Sequence, residues 1–232
     1  MNLYEIKAKL LNQEKIVFSL NELARIIGKS KNIAGVYANR MCKKKLLYKI
    51  EKNKFSVSED VFVISSQLIF PSYLGLTTSL YFQDFMPQII DKIYVITSKQ
   101  KKKIKVFGTD IIFIKIKPKL LFGYKKIKKT DSFIFISDLE KTIIDCLLYP
   151  RYCRLNILLD LLKKADINNL KYYLSLLNSE RINRKIGYLL DILNIKHNLK
   201  RKTNTIYKFN SSKKFKGKFN NKWFLYINEE FR

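Results

Sequence analysis

Apolar residues at helical spacing open the chain. Leu3, Ile6 and Leu10 lie three and four positions apart, which predicts a first amphipathic helix. The segment KIVF, residues 15–18, interrupts this spacing and predicts a short strand. A compact unit that begins with a helix and a strand is therefore expected.

A second helix is predicted directly after this strand. Ser19, with Glu22 three positions later, matches a capping box, in which each residue satisfies a free backbone N–H near the helix start. Gly28 is expected to end this helix, and Ser30 to cap the next one. The face predicted to be buried carries four apolar residues: Leu20, Leu23, Ala24 and Ile27.

The third predicted helix, at residues 31–45, has two unlike faces at about 100° per residue. One face is expected to pack on the core: Ile33, Ala34, Tyr37, Ala38 and Met41. The other carries amides, cations and a glycine that permits close approach: Asn32, Gly35, Val36, Asn39, Arg40 and Lys43. Amide and cationic side chains can read base edges in the major groove. The alternative is a solvated surface helix.

A short hairpin is predicted after this helix, with the turn EKNK placing lysines at its tip. Helix, turn, helix and basic hairpin in this order predict a winged helix-turn-helix that binds DNA, within residues 1–65. Its expected DNA contacts come from the start and polar face of the third helix and from the hairpin tip: Ser30, Lys31, Asn32, Val36, Asn39, Arg40, Lys43, Lys52, Asn53 and Lys54.

Residues 66–232 predict a second domain of mixed α/β type, joined to the first near residues 65–71. Apolar and polar residues alternate in its middle part, which is typical of strands. Three such segments predict a β-meander: residues 92–98, 103–107 and 110–117. Further short strands are expected at residues 125–129, 132–136 and 222–228.

Helical spacing returns at Asp138. Four helices are predicted after this point: residues 138–148, 154–164, 167–177 and 180–193. With the helical start of the chain and the strands of its middle, the whole sequence predicts an α+β protein.

The segment SDLEKTIIDC, residues 137–146, places three carboxylates around one lysine. A two-metal nuclease needs carboxylates that converge on the ions. On a helix that starts at Asp138, with Ser137 or Asp138 as its cap, Asp145 faces Lys141 four positions earlier, whereas Glu140 lies on another side. Glu140 then lies near the positive end of the helix dipole, where one acidic side chain typically stabilises a helix by about 0.3–1 kcal/mol. A structural helix is therefore predicted, with its buried stripe at Leu139, Ile143, Ile144, Leu147 and Leu148.

The formal charge of +27 arises from 46 basic and 19 acidic residues. Only eight of the basic residues are arginine, and the excess of Lys, Asn and Ile is typical of an AT-rich genome. The two predicted domains have similar charge per residue, so net charge does not locate a site. It still favours encounter with polyanions such as nucleic acid.

Cysteine and histidine usage indicates neither a disulfide framework nor a zinc site. Cys42, Cys146 and Cys153 are odd in number and lack CxxC spacing, and His197, the single histidine, is expected to be solvated. A reducing cytoplasm is the expected compartment. The chain lacks an apolar run of membrane-spanning length, a signal-peptide pattern, a phosphate-binding glycine loop and a GxSxG motif. No cofactor, bound metal or catalytic residue is predicted.

The order of several motifs resembles the AbiEi-type antitoxins, transcriptional regulators of type IV abortive-infection toxin–antitoxin systems. The segment PSYLGLTTSL is similar to the family's PSYLSLxSAL, although Gly75 and Thr78 depart from it, as does Leu139 at a position where proline is common. The other matching segments follow in order: Tyr94–Thr97, Gly108, Phe122–Tyr124, Asp138–Lys141, Arg184–Leu190 and Asn221–Trp223.

This resemblance implies a protein with two functions in phage defence. The first domain would repress its own operon by binding operator DNA with repeats. Residues 66–232, as an AbiEi-like antitoxin domain, would neutralise a co-encoded nucleotidyltransferase-like toxin. The family is not one defined by a catalytic centre, so a non-enzymatic protein is expected.

Two other hypotheses stay open. A basic winged-helix protein can bind structured RNA or the ribosome instead of DNA. A divergent metal-dependent nuclease would use Asp110, Asp138 and Glu140, although a PD-(D/E)xK-like centre would require an acidic-x-Lys triplet that the lysine-rich strand after Asp110 does not contain.

Overall fold

A computed structural model describes residues 2–86, 91–129, 131–214 and 216–231 of the 232-residue chain. Its architecture is α+β, as predicted. The helices are α1 (Leu3–Leu11), α2 (Leu20–Ile27), α3 (Lys31–Lys43), α4 (Val61–Gln67), α5 (Thr77–Phe82), α6 (Leu139–Leu148), α7 (Leu158–Lys164), α8 (Ile167–Leu177) and α9 (Glu180–Ile192).

The strands are short and belong to three sheets. They are β1 (Val17–Ser19), β2 (Tyr48–Glu51), β3 (Lys54–Ser56), β4 (Ser72–Leu74), β5 (Lys92–Thr97), β6 (Ile104–Val106), β7 (Thr109–Lys115), β8 (Tyr124–Lys129), β9 (Ser132–Ser137), β10 (Tyr207–Lys208), β11 (Lys218–Asn220) and β12 (Leu225–Ile227).

The chain divides into two compact units. Unit 1 comprises Met1–Leu74, Ile89–Leu121 and Lys125–Ile136, and unit 2 comprises the remaining segments, chiefly Ser137–Arg232. The units thus divide at other positions than residue 65. Independent folding of residues 1–65 therefore stays a prediction.

The first part of unit 1 contains α1, α2 and α3 with an antiparallel sheet in the order β1-β3-β2. The predicted helices, the strand between the first two and the hairpin after the third are all present. Ile6 and Leu10 of α1 are fully buried, as their spacing predicts. Local sequence signals locate these elements because each cap and turn depends on residues only a few positions apart.

The second part of unit 1 is a six-stranded sheet in the order β6-β7-β5-β4-β9-β8. The predicted meander is wrong, because β5 pairs in parallel with β7 over six residues, and β6 lies outside β7 as a hairpin partner. Alternation fixes which face of a strand is buried but not which strand lies beside it. Strand β4 was also missed, since three consecutive buried residues show no alternation.

Unit 2 packs α7, α8 and α9 against α6. Ile143, Ile144 and Leu147 of the predicted stripe on α6 are fully buried, but burial extends beyond one stripe because this central helix is enclosed on most sides. Cys146 and Thr142 are fully buried, whereas the ends of the predicted stripe, Leu139 and Leu148, are only half-buried. A small sheet in the order β10-β12-β11 closes the unit and contains the predicted closing strand.

Two expectations about single residues in unit 2 are wrong. Cys146 and Cys153 form a disulfide with their Cα atoms 5.4 Å apart, because the 3-10 turn Pro150–Tyr152 after α6 brings the chain back. The His197 side chain is buried, and its Nε2 lies 3.1 Å from Asp191 Oδ1. In the part of the chain that the structure describes, every helix is too short or too polar to cross a membrane.

Candidate nucleic-acid interface

The start of α2 is fixed by the predicted capping box. Ser19 Oγ accepts the backbone N–H of Glu22, and the Glu22 carboxylate accepts the N–H of Ser19 at 2.7 Å. Burial would raise the pKa of Glu22, but hydrogen bonds from Lys15 and Ser19 outweigh it and lower the pKa to about 2. The carboxylate therefore stays ionised, and α2 has a rigid first turn.

A tight turn then leads into α3. Gly28 ends α2 with φ of +70°, a left-handed conformation that glycine adopts without steric cost. Two residues later, Ser30 Oγ accepts the N–H of Ile33 at 3.5 Å and caps α3. Gly28 thus ends α2 and Ser30 caps α3, as the sequence predicts.

The inner face of α3 is narrower than predicted. Ala34, Ala38 and Met41 are fully buried, but Tyr37 is half-buried and 45% of Ile33 is exposed. Ile33 lies about 100° away from the centre of the buried residues, by the 3.6-residue period. Its assignment to the core is therefore wrong, because hydrophobicity alone does not show where a helix face ends.

The outer face of α3 is polar and cationic around one apolar residue. Val36 lies at its centre and is 49% exposed. The other residues predicted to contact DNA at the start and along this face are also exposed: Ser30, Lys31, Asn32, Asn39, Arg40 and Lys43. By the helical period, those from Asn32 to Lys43 lie on the side of α3 away from its buried residues, while Ser30 and Lys31 lie at the helix start.

Gly35 lies within this surface without a packing reason. A Cβ atom added there would meet no atom of the protein within 4 Å, and its φ is not in the left-handed region. Glycine inside a helix costs about 0.5–1 kcal/mol relative to alanine. The helix backbone at Gly35 is therefore open to the approach of another molecule.

The local charge around α3 is one-sided. Residues 23–50 contain eight basic residues and no Asp or Glu. A phosphate backbone that approaches this surface therefore meets no carboxylate from this segment. A depression of about 530 Å³ lies beside the outer face, and the exposed Tyr4 ring is part of its wall. The sequence does not mark Tyr4, because the pattern of α1 shows only the buried stripe of that helix. The depression is lined by Asn2, Leu3, Tyr4, Tyr37, Arg40, Lys43 and Lys44.

The tip of the β2–β3 hairpin has lysines of two kinds. Lys52 and Asn53 are exposed, and Asn53 adopts φ of +61°, a turn conformation that asparagine tolerates. Lys54, by contrast, is half-buried, and its Nζ lies 3.1 Å from Glu51 Oε1 and donates to the Leu68 carbonyl. Lys52 is therefore available to a phosphate, whereas Lys54 supports the hairpin.

The acidic stretch of unit 2 is engaged in structural contacts. Asp138 caps α6 by accepting the N–H of Lys141 at 2.9 Å, and its second oxygen accepts the Tyr173 hydroxyl at 2.6 Å. Burial, together with this bond, raises the pKa of Tyr173 to about 12. The predicted ion pair of Lys141 with Asp145 is present at 2.5 Å and fully buried.

Glu140 binds the start of α8. Its carboxylate accepts the Asp166 N–H at 2.8 Å and the Asn169 side-chain amide at 3.2 Å. The carboxylates of this stretch thus point to different partners, and among the described residues no three Asp, Glu, His or Cys side chains are grouped to hold a metal ion.

Comparisons with known proteins give a fold relationship and nothing closer. No protein-family model matches the chain, and no curated protein matches it. Among solved structures, the RV2827C protein from Mycobacterium tuberculosis is similar with a TM-score of 0.60, at 10% identity, over 96% of this chain and 89% of that one. At this identity the similarity concerns the fold alone.

Proposed function

We propose that this chain is a DNA-binding transcriptional regulator whose first helices and hairpin form a winged helix-turn-helix. The observation that carries the proposal is the outer face of α3, where exposed amides and cations surround Val36 while the opposite face is core. A capped helix with this surface suits insertion into the major groove.

The side chains of this face suit different contacts. Asn32, Asn39 and Arg40 carry the amide and guanidinium groups that make paired hydrogen bonds to adenine or guanine. Lys31 and Lys43, with Lys52 at the hairpin tip, suit phosphate oxygens, which fix the position of the protein without reading sequence.

We further propose, on the AbiEi resemblance, that the target is the operator of the chain's own toxin–antitoxin operon. In that role residues 66–232 neutralise a co-encoded nucleotidyltransferase-like toxin, and both events take place in the cytoplasm. The two functions use different surfaces, so substitutions on α3 are expected to affect only the first.

The binding test uses the full chain and duplexes from its own promoter. Arg40→Ala and Asn39→Ala should each weaken binding to the operator by about 1–3 kcal/mol and weaken binding to a scrambled duplex much less. Lys200→Gln, at an exposed residue of unit 2, is the control for lost charge. Equal losses on both duplexes would contradict base reading, and tighter binding to structured RNA would favour the RNA hypothesis.

The toxin test uses growth as its readout. With the toxin expressed from an unrelated promoter, the Arg40→Ala chain should protect cells as well as wild type, while a reporter behind the native promoter is derepressed. Loss of protection together with loss of repression would show that the two functions are not separable in this way.

A further inference from the structure

A lysine-rich segment of unit 1 connects β5 to β6. This lysine segment, residues 98–105, has the sequence SKQKKKIK, with five lysines and no acidic residue. Most of it lacks regular structure, and β6 begins at Ile104. Neither the motif pattern nor the proposed helix-turn-helix gives it a role.

The lysine segment and the turn after it are held against the hairpin by contacts at both ends of β2. Lys101 Nζ lies 2.5 Å from Glu51 Oε2 at the last residue of β2. At the first residue, the Tyr48 ring meets the Phe107 ring edge-on, with centroids 5.5 Å apart. Because β2 is an edge strand, these contacts place residues 101–107 along the open side of the hairpin.

The lysines of this segment differ in their surroundings. Lys101 is half-buried, with its Nζ 5.3 Å from the centre of the Phe113 ring, so it anchors the segment. The four other lysines are exposed, and within the described ranges their ammonium groups make no ion pair or side-chain hydrogen bond: Lys99, Lys102, Lys103 and Lys105. Glu51, the carboxylate of β2, is already paired with Lys101 and Lys54.

We propose that Lys99, Lys102, Lys103 and Lys105 form a second phosphate-contacting surface, which binds the DNA backbone beyond the contact made by Lys52. This inference rests on the proposed DNA-binding function and extends it to a longer duplex on the hairpin side.

The short distance between the hairpin tip and the lysine segment supports the proposal. Lys52 follows Glu51 directly, and Lys102 follows Lys101, so both cations lie one residue from the ion pair. Consecutive Cα atoms are about 3.8 Å apart, and each DNA strand presents a phosphate roughly every 3.4 Å along the helix axis. A backbone that passes the hairpin tip therefore comes within reach of the lysine segment.

The test compares two double variants of the full chain with equal charge loss. Lys102→Gln with Lys103→Gln removes two lysines of the segment, and Lys196→Gln with Lys200→Gln removes two exposed lysines of unit 2. Dissociation constants are measured on the promoter duplex and on a scrambled duplex between 50 mM and 200 mM salt. Unchanged melting temperatures show that both variants are folded.

The segment variant should reduce the slope of log K against log salt by about 1.8, since each phosphate contact contributes roughly 0.9. Wild type should then lose about tenfold more affinity than this variant over that salt range, on both duplexes. The unit 2 variant should keep the wild-type slope. Shortening the promoter duplex from the hairpin side should weaken binding by wild type more than binding by the segment variant, which keeps Lys99 and Lys105.

Equal slopes for the two variants, with wild type still preferring its promoter duplex, would overturn this inference and leave the proposed function intact. A wild-type chain without that preference would overturn the proposed function, and this inference with it.

Discussion

At the residue scale, Val36 is an apolar side chain exposed at the centre of a polar face, with Ile33 at the edge of the same face. Neither packs in the core of unit 1, and apolar side chains in the major groove contact the C5-methyl group of thymine. In the proposed complex, with α3 in the major groove, we therefore expect these side chains to contact thymine.

Replacing single thymines of the operator by deoxyuridine removes only that methyl group. At a contacted position we expect wild type to lose about 0.8 kcal/mol, or roughly fourfold in affinity. Val36→Ala should bind the two duplexes equally at that position. Affinities of wild type and Val36→Ala for the thymine and the deoxyuridine duplex together give the interaction energy between Val36 and the methyl group. Unchanged wild-type affinity after every such replacement would contradict thymine reading.

Lys185 is a buried cation in unit 2 whose titration affects stability. The side chain is fully buried, with its Nζ 3.4 Å from the Leu147 carbonyl. Burial, with a smaller effect of Arg181, lowers its pKa from 10.5 to about 7. Between these values the unfolded chain holds a proton that the folded chain lacks, so stability rises with pH across this window.

Denaturation in urea at pH 7.5, 8.5 and 9.5 tests this. The free energy of unfolding should rise with pH more steeply for wild type than for Lys185→Met, by up to about 1.4 kcal/mol per pH unit. Lys200→Met, at an exposed lysine, should follow wild type. Parallel profiles for wild type and Lys185→Met would show that Lys185 keeps its proton in the fold.

At the scale of elements, the stability of α3 and its proposed binding of DNA favour different residues at position 35. Gly35→Ala should stabilise the protein by about 0.5–1 kcal/mol, because the added methyl group meets open space and alanine favours the helix. The same methyl group should hinder close approach of DNA and weaken operator binding.

Gly187 of α9 provides the contrast for this substitution. A Cβ atom there would lie 2.2 Å from the Trp223 ring, so Gly187→Ala should lower the melting temperature. If Gly35→Ala raises stability but leaves operator affinity unchanged, the DNA does not bind at this face of α3.

Glu140 joins α6 to the start of α8, so we expect it to contribute more to stability than the helix-end effect that the sequence predicts. It is 7% exposed and accepts hydrogen bonds from Asp166 and Asn169. Glu140→Gln should therefore lower the free energy of unfolding by about 1–3 kcal/mol, measured from urea midpoints. Glu14→Gln, at an exposed ion pair, should change it little. A loss below 1 kcal/mol would show that the amide replaces the carboxylate well.

Sequence predicts the elements whose signals are local and misses those that depend on distant residues. The sequence predicts the caps at Ser19 and Ser30, and Asp138 as one of two candidates with Ser137, because donor and acceptor are three residues apart. The hydrogen bond from Asp166 to Glu140 spans 26 residues, and the pairing of β5 with β7 passes over β6; neither leaves a local pattern.

At the scale of the whole molecule, helices α1 to α3 and the six-stranded sheet belong to one unit. Gln67 accepts the N–H of Ile16 at 2.8 Å and donates to Ser132 at 3.0 Å, which links β1 to β9 through α4. Lys129 also pairs with Asp60, the N-cap of α4. No local sequence pattern indicates these hydrogen bonds and ion pairs. The prediction of a domain boundary at residue 65 therefore rests only on the change in hydrophobic periodicity.

The central claim is that α3 reads bases, and selection from a pool of random duplexes tests it most directly. The wild-type chain should enrich a motif that also occurs in its own promoter. The double variant Asn39→Ala with Arg40→Ala should still bind DNA, through the remaining lysines, but lose base preference at adjacent positions of that motif. Enrichment of the same motif, with the same preference at every position, would contradict the account.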